Sequence, residues 1–379
     1  MINILNTNII SSLGFSSLEN YQAVKDGKTG LKYYENAFDV PEPIVASLLD
    51  EEKLDAEFYY LPNIEKKYTK LEKAAILSVY YALSDTNIDP SDGDVLFIFS
   101  TTKGNIELLE NNDTYEPERI YLWRSAQLIA DYFGNKNQPL VVSNACISGV
   151  AAQIMAARYL SAKRAKYAIV MGVEVLSKFI VSGFQSFKAL SNQVCKPFDK
   201  NRIGLNLGEA AATIIYTFED ERSTLIYENG AICNDANHIS APSRTGEGLF
   251  NAIDKVLKNT NKEDISFINA HGTATPYNDE MESVAITRCG LENVPVNSLK
   301  GYFGHTLGAA GVLETIISAY ALQENIILKS YGFEELGVSP ININTEIATS
   351  SKPVCLKLIS GFGGGNAVVV LRKKPAPLH

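Results

Sequence analysis

PLVVSNACISGVAAQIMAARYL (residues 139–160) decides the fold. A short apolar, β-branched run, PLVVSN (139–144), gives way at Cys146 to a long segment rich in Ala and Gly. It reads as a buried strand entering a helix small enough in its side chains to pack at close range. The same order returns later, where VPVNSL (294–299) leads through a short turn into HTLGAAGVLETIISAYAL (305–322). Two further strand-like runs follow each unit, the second entered from glycine: YAIVMGVE (167–174) and GEAAATIIYTF (208–218), then PVCLKLIS (353–360) and GGGNAVVVLRK (363–373). Working outward, VLFIFS (95–100), STLIYENGAI (223–232) and ISFINA (265–270) read as strands, as does the N-terminal MINILNTNIISSLGF. Residues 64–85, 247–259 and 279–288 read as helices. Alternating strands and helices make an α/β protein, and the repeated order predicts duplicated halves, 1–220 and 221–379, packed as one body without a low-complexity linker.

Composition bounds the function. The chain has 379 residues, 46% hydrophobic and 20% charged, which describes a globular protein with a sizeable core. Its 34 basic residues against 43 acidic ones give a net charge of −9, which argues against a nucleic-acid-binding face. The 5 cysteines form no C-x-x-C pair, so neither a disulfide framework nor a metal site is expected, and a reducing, cytoplasmic setting fits. The N-terminus lacks the basic region of a signal peptide. The most apolar stretch (167–184) is interrupted by Glu174 and Lys178, so no membrane span is expected.

Four segments carry chemistry. In VSNACISGVAA, Cys146 stands between strand and helix, where unpaired backbone N–H groups and the helix dipole favour a thiolate. The alternative is a buried cysteine acting as a small hydrophobe. In NAHGTATPYNDEMES, His271 follows a buried strand, the usual edge of a cleft in α/β proteins, with Thr273, Thr275 and Asp279 close behind as site or capping residues. In SLKGYFGHTLGAAG, His305 opens a helix, which favours a neutral, hydrogen-bond-donating imidazole, and Lys300 has Glu314 as a potential ion partner. In SGFGGGNAVVV, four glycines surround Phe362 before a strand, marking a tight turn or a close approach to ligand. A phosphate loop fits that last segment poorly, because no G-K-[ST] and no helix follow. A thiolate to take an acyl group, two imidazoles for an enolate and backbone N–H groups for an oxyanion together are what thioester chemistry requires.

At this point the sequence resembles the β-ketoacyl-ACP synthases of the elongating type, with a Cys–His–His triad. The likeness runs from NTNIISSLGFSSLENYQAVKDGKTGL (6–31) to GFGGGNA (361–367), with NACISG, KPFDKNRIGLNLGEAAA, AHGTATPYND, KGYFGHTLGAAG and GFGGGN in the family's order. It implies the thiolase fold, duplicated βαβαβαββ halves in a five-layer α-β-α-β-α sandwich. It implies Cys146 as nucleophile, His271 and His305 as the pair that decarboxylates malonyl-ACP and holds the enolate, and Lys300 as organiser, supported by Glu314 and Asp279. The N–H groups of Cys146 and Phe362 would form the oxyanion hole, and Thr273 and Thr275 would touch phosphopantetheine. Phe184, Ile147 and Phe362 would line or gate the acyl pocket. No cofactor of its own and no metal is implied, since substrates ride on the phosphopantetheine of acyl carrier protein. The family is usually dimeric, so a homodimer or a heterodimer with a ketosynthase-like paralogue is expected. Because carrier proteins are acidic, Lys66 and Lys67 in EKKYTKLEKAA are candidates for docking, although a solvated helix face is an equal reading.

The chain also departs from that pattern. Asn144 and Ile147 stand where threonines are usual, so Ile147 is expected to crowd or dry the site. The stretch from Phe99 to Cys146 is short, and FSTTKGNIE lacks a glycine-rich run, which leaves chain length and dimer partner open. Thiolases require a second catalytic cysteine in the last glycine-rich loop, where this chain has Phe362. Initiating synthases have asparagine in place of one histidine. A chain-length-factor-like subunit, silent alone, is the remaining alternative, and such subunits lose the nucleophile. Fatty-acid elongation and a specialised polyketide or aryl-polyene-like pathway both fit.

Overall fold

The computed structural model describes residues 1–62, 64, 66–110, 112, 114–218 and 223–375. Its framework is a 10-stranded sheet. The first half supplies β1 (Ile2–Ser11), β2 (Val95–Ser100), β3 (Leu140–Val142), β4 (Tyr167–Glu174) and β5 (Ala210–Thr217). The second supplies β6 (Leu225–Asn234), β7 (Ile265–Asn269), β8 (Val296–Asn297), β9 (Val354–Gly361) and β10 (Gly365–Lys373). The first five strands lie in the order β3-β2-β4-β5-β1 and the second five in the order β8-β7-β9-β10-β6, one an exact renumbering of the other. Strand directions repeat too. β2 is parallel to β3 and β4, β7 is parallel to β8 and β9, and the remaining pairs within each five are antiparallel. The two sets are joined by a short seam, Ile2 and Asn3 of β1 against Tyr227 and Ile226 of β6.

Helices α1 (Lys70–Leu83), α2 (Leu122–Tyr132), α3 (Ser148–Ser161) and α4 (Lys178–Ser186) belong to the first half. Helices α5 (Glu247–Leu257), α6 (Pro276–Arg288) and α7 (Leu307–Gln323) belong to the second. With α4, the helices Ser17–Lys25, Glu51–Tyr59 and Lys300–Phe303, and the short strands outside the main sheet set aside, each half runs βαβαβαββ. The central layer is α3 against α7, each touching strands of both halves, while α1 and α5 cover the two outer faces. These are the five layers of the thiolase fold.

Burial on all sides explains why α7 lacks a polar face: nearly every residue from Leu307 to Leu322 is buried. The two central helices meet backbone to backbone. A Cβ on Gly149 would lie 2.8 Å from the Val312 nitrogen, and one on Gly311 would lie 2.5 Å from the Val150 nitrogen. Gln153 of α3 stitches the contact, donating to the Gly311 carbonyl at 2.9 Å and accepting from the Tyr216 hydroxyl at 2.8 Å. Because the glycines lie near the helix starts, this contact brings the segments that precede α3 and α7 to one place.

Some boundaries differ from the sequence reading. The helix expected over 64–85 begins at Lys70, because Thr69 and Glu72 form a reciprocal capping box that fixes the start. The strand expected over 294–299 is confined to Val296–Asn297. The helix expected from 279 starts at Pro276, which suits a first helical position. The expected division at 220/221 falls outside the described residues. Among the described residues, no helix is long and apolar enough to cross a membrane, and all five cysteines are free.

Candidate active site

Cys146 sits on a sharp turn between β3 and α3. Ala145 holds a left-handed conformation, φ 45°, and Ser148 Oγ closes the turn by accepting from Asn144 N at 2.8 Å and donating to the Ala145 carbonyl at 2.6 Å. A strained turn of this kind aims a nucleophile out of the sheet. His305 Nε2 lies 3.0 Å from Cys146 Sγ. Its Nδ1 accepts from the Leu307 N–H at 3.3 Å, so the neutral ring carries its proton on Nε2, pointing at the sulfur. The KPFDKNRIGLNLGEAAA motif explains itself here. His305 donates its N–H to the Asn206 carbonyl at 2.7 Å and accepts from Gly208 N at 3.1 Å, and a Cβ on Gly208 would run into the Phe303 carbonyl.

His271 follows β7, its ring nearly perpendicular to that of His305 with centroids 4.9 Å apart. The ligating atoms of Cys146, His271 and His305 all fall within 4.8 Å of one another. The loop carrying His271 is held by two buried carboxylates on α6. Glu282 accepts from the N–H groups of His271 and Gly272, each at 2.7 Å, and Asp279 accepts from Thr273 N at 3.0 Å and Phe198 N at 2.7 Å. Sequence reasoning found Asp279 and missed Glu282, although the i, i+3 spacing puts both on one face.

The electrostatics come from below. Lys300 pairs with Glu314, as expected, but Glu314 also meets Lys357 Nζ at 2.5 Å, and all three side chains are buried. Lys357 was missed because it hides inside the apolar strand PVCLKLIS. Two lysines share one carboxylate beside the imidazoles, and burial pulls Lys357 below the ordinary lysine range. Burial, then Lys300 and Lys357, hold His305 well below the ordinary histidine range, and burial, Lys300, His305 and Lys357 do the same to His271. Burial also pushes the Cys146 thiol up to about 11, against the pull of Lys300, Lys103 and the Phe362 N–H. The helix start was expected to favour a thiolate, and burial outweighs it, so a dry thiol needs help from its neighbours. The same trio has the donor types of a metal site. However, ligands on a tetrahedral zinc at about 2.0–2.3 Å would stand roughly 3.5 Å apart. Sulfur and nitrogen in direct contact, beside two buried lysines, are a hydrogen-bonded pair.

The trio opens into a cavity of about 470 Å³, also lined by Thr273, Thr275, Phe184 and Phe362. The two threonine hydroxyls bond each other at 2.9 Å. Phe362 is 41% exposed, between Phe184 at 6.1 Å and Phe187 at 5.8 Å, and the glycines after it take φ 82° and 75°. A Cβ on Gly361 would press on Cys146 N at 3.1 Å. The Phe362 N–H bonds the Cys146 sulfur.

The profile of the beta-ketoacyl synthase N-terminal domain matches residues 19–220, and that of its C-terminal domain matches residues 225–334. The chain belongs to the β-ketoacyl synthase family. A putative mitochondrial 3-oxoacyl-[acyl-carrier-protein] synthase of Schizosaccharomyces pombe is 27% identical over 96% of this chain and 97% of its own length. 3-Oxoacyl-[acyl-carrier-protein] synthase 2 of Rhizobium meliloti is 32% identical over 61% of this chain and 60% of its own. Among solved structures, the ketosynthase ApeO in complex with its chain length factor ApeC, from Xenorhabdus doucetiae, superposes with a TM-score of 0.87 at 23% identity, covering 98% of each chain. The ishigamide ketosynthase/chain length factor does so with 0.88 at 22% identity, covering 99% of each. At these identities the two structures establish the common fold.

One expected contact of the synthase is placed elsewhere. Ile147 does not crowd the cavity: it is fully buried in the core, its Cδ1 3.0 Å from where a Cβ on Gly365 would stand. Lys66 and Lys67 are exposed, as both a docking face and a solvated one would be, while Lys70 and Lys73 are engaged by Glu209 and Asp55.

The charge balance makes a prediction for the synthase. With both imidazoles held neutral, the condensation rate should show no acid limb near 6.5. Lys357→Met leaves Lys300 and Glu314 as a neutral pair, so both imidazoles should take up protons at higher pH and an acid limb should move up towards 6.5. A pH–rate profile identical to that of the parent protein would exclude Lys357 from tuning the pair. For stability the sign is as follows. The unfolded imidazoles protonate below about 6.5 and the folded ones do not, so the contribution present above that pH is lost on acidification. Asp279, pushed up to about 6, and Glu282, pushed up to about 7, are protonated earlier in the folded state and offset the loss.

Proposed function

We propose that the chain condenses carrier-bound thioesters, and that Cys146 is its nucleophile. The observation that carries this is the contact of Cys146 Sγ with the protonated nitrogen of His305 at 3.0 Å, with a second neutral imidazole beside it in a cavity of about 470 Å³. Cys146 sulfur attacks the acyl thioester carbon, its proton passes to the departing carrier thiol, and the acyl group is left on the enzyme. Malonyl-ACP then loses CO₂, and the electron pair of that C–C bond becomes an enolate held by the N–H donors of His271 and His305. The enolate carbon attacks the Cys146 thioester, the oxyanion rests on the N–H groups of Cys146 and Phe362, and the Cys146 sulfur leaves and regains a proton. Two neutral imidazoles serve this better than charged ones, since neither has a proton to lose to the enolate at neutral pH.

Thr273 and Thr275 are read as the pantetheine contacts, Phe362 with Phe184 as the gate, and acyl carrier protein as the partner. We also read the chain as two duplicated halves meeting near residue 220, acting in the cytoplasm as a dimer. Support for pairing comes from β3, a half-buried edge strand, and from the exposed stacked rings of Tyr121 and Trp123. Relatives recorded as ketosynthase–chain length factor complexes make a paralogue as suitable a partner as a second copy.

The test is intact-protein mass after incubation with saturated, aromatic and polyene acyl-ACPs, followed by malonyl-ACP. A Cys146-dependent adduct that is discharged as β-ketoacyl-ACP is the expected result, and the preferred chain would separate fatty-acid elongation from a specialised pathway. No adduct with any acyl group would replace this reading with the chain-length-factor-like one.

A further inference from the structure

We propose that Cys233 and Lys255 form a modification site in which hydrogen peroxide closes an S–N cross-link between them, tying β6 to α5 beneath the glycine loop that carries Phe362. The chemistry of the pair stands apart from the condensing role proposed above; only its effect on access to Cys146 rests on the reading of Phe362 as the gate.

Cys233 lies one residue before the end of β6, and Lys255 stands in the last turn of α5, the helix that covers β6 and β10. Lys255 Nζ donates to the Cys233 sulfur at 3.2 Å. Among the described residues this is the only hydrogen bond of that ammonium, and no carboxylate pairs with it. Of the five cysteines, Cys233 alone is not buried. Burial pushes the Cys146 thiol up to about 11 and those of Cys195, Cys289 and Cys355 up to about 12. Peroxide reacts with accessible, ionised thiols, so those four are poor targets. Cys233 is open to solvent with a cation in contact, and it is the sulfur that an oxidant reaches first.

The sulfur takes one oxygen from peroxide, giving a sulfenic acid and water. Lys255 gives up its extra proton to solvent, and the neutral amine attacks that sulfur. The S–N bond forms, the S–O bond breaks, and the hydroxyl leaves as water with one amine hydrogen. The protein loses two hydrogens, one from sulfur and one from nitrogen, and a single peroxide supplies the whole oxidation. A sulfenic acid left alone runs on to sulfinic acid, and here the intercepting nitrogen is already in contact. The bond falls on a corner that supports the site. Asn234 Nδ2 donates to the Gly363 carbonyl at 2.7 Å, and Asp235 N donates to the Gly364 carbonyl at 2.9 Å. Across the sheet Cys233 faces Asn366, whose Nδ2 donates to that same Gly364 carbonyl at 3.0 Å. The start of α5 abuts this corner too, since a Cβ on Gly248 would stand 2.5 Å from Asn366 Nδ2 and 2.9 Å from Asp235 N. Fixing α5 to β6 therefore stiffens the support of the loop beside Phe362.

The experiment treats the parent protein, Cys233→Ser and Lys255→Arg with hydrogen peroxide, then digests each and maps the peptides by mass. In the parent, the peptides bearing Cys233 and Lys255 should be joined with the loss of two hydrogens, and dithiothreitol should release both unmodified. Lys255→Arg keeps the positive charge but has no amine to close the bond, so its Cys233 should run on to sulfinic acid. Cys233→Ser should give no joined peptide. Alkylation of Cys146 by iodoacetamide, followed on the same samples before digestion, should be slower in the cross-linked parent than in the untreated one, and peroxide should leave the rate in Cys233→Ser unchanged. If Cys233 of the parent reaches sulfinic acid without joining Lys255, or if Cys146 is oxidised first, the modification site is overturned. A joined pair with Cys146 alkylated at the untreated rate overturns the tie to the gate. Either result leaves the condensing role in place, because neither touches acylation of Cys146 in the reduced protein.

Discussion

Cys146→Ala is expected to abolish acylation, and His305→Ala to leave acylation in place while condensation falls by about 10³-fold or more. The two outcomes separate because the two residues are needed at different moments. Removing the sulfur removes the atom to which the acyl group is bound, so no adduct forms with any donor. Removing the His305 ring takes away one donor to the enolate and one to the sulfur. The thiol, already driven to about 11 by burial, still has Lys300, Lys103 and the Phe362 N–H to favour its ionised form. Loading should therefore slow without stopping. The enolate has no such reserve: His271 alone would face it, and its Nδ1 is buried without a partner to steady the ring. The measurement is an adduct mass for loading and β-ketoacyl-ACP formation for condensation, on the same samples. Normal condensation by His305→Ala would show that its proton on Nε2 serves the sulfur only.

Glu314→Gln should be the most destabilising single change near the site, by about 3–5 kcal/mol. Among the described residues, this carboxylate (2% exposed) is the one anion that pairs with both Lys300 (1%) and Lys357 (0%). A neutral amide there leaves two ammonium groups, both out of reach of water, facing each other across it. Lys357→Met alone should cost much less, because it leaves a matched pair, and adding it to Glu314→Gln should recover part of the loss. Urea denaturation of the three variants tests the order. If Glu314→Gln unfolds at the same midpoint as the parent protein, the ion triad does not hold the second half together.

Much of this architecture is legible in the sequence. Strand-to-helix units of small residues gave the central layer, because Gly149 and Gly311 are required by backbone contact and no other residue type fits. Cys146, His271, His305, Lys300 and Glu314 were found because their types are scarce or their spacing is tight. The failures have physical causes. Thr69 and Glu72 spell a capping box inside EKKYTKLEKAA, but the lysines around them drew the reading to charge. Ile147 lies two residues after left-handed Ala145, and past such a turn helical periodicity no longer says where a side chain points. Lys357 and Glu282 are buried charges inside apolar or helical patterns, and a single sequence cannot distinguish them from solvated ones without the partner across the fold.

The contact of Gly149 with Gly311 has a further consequence. It welds together the pieces of chain that bear the nucleophile and one imidazole, and each piece comes from a different half. Neither half expressed alone would own a complete set of reactive atoms, and each would present a bare helix face where the other belongs. Halves borrowed from two homologues should therefore assemble poorly, since a single added methyl at either glycine would pry the sulfur from the imidazole.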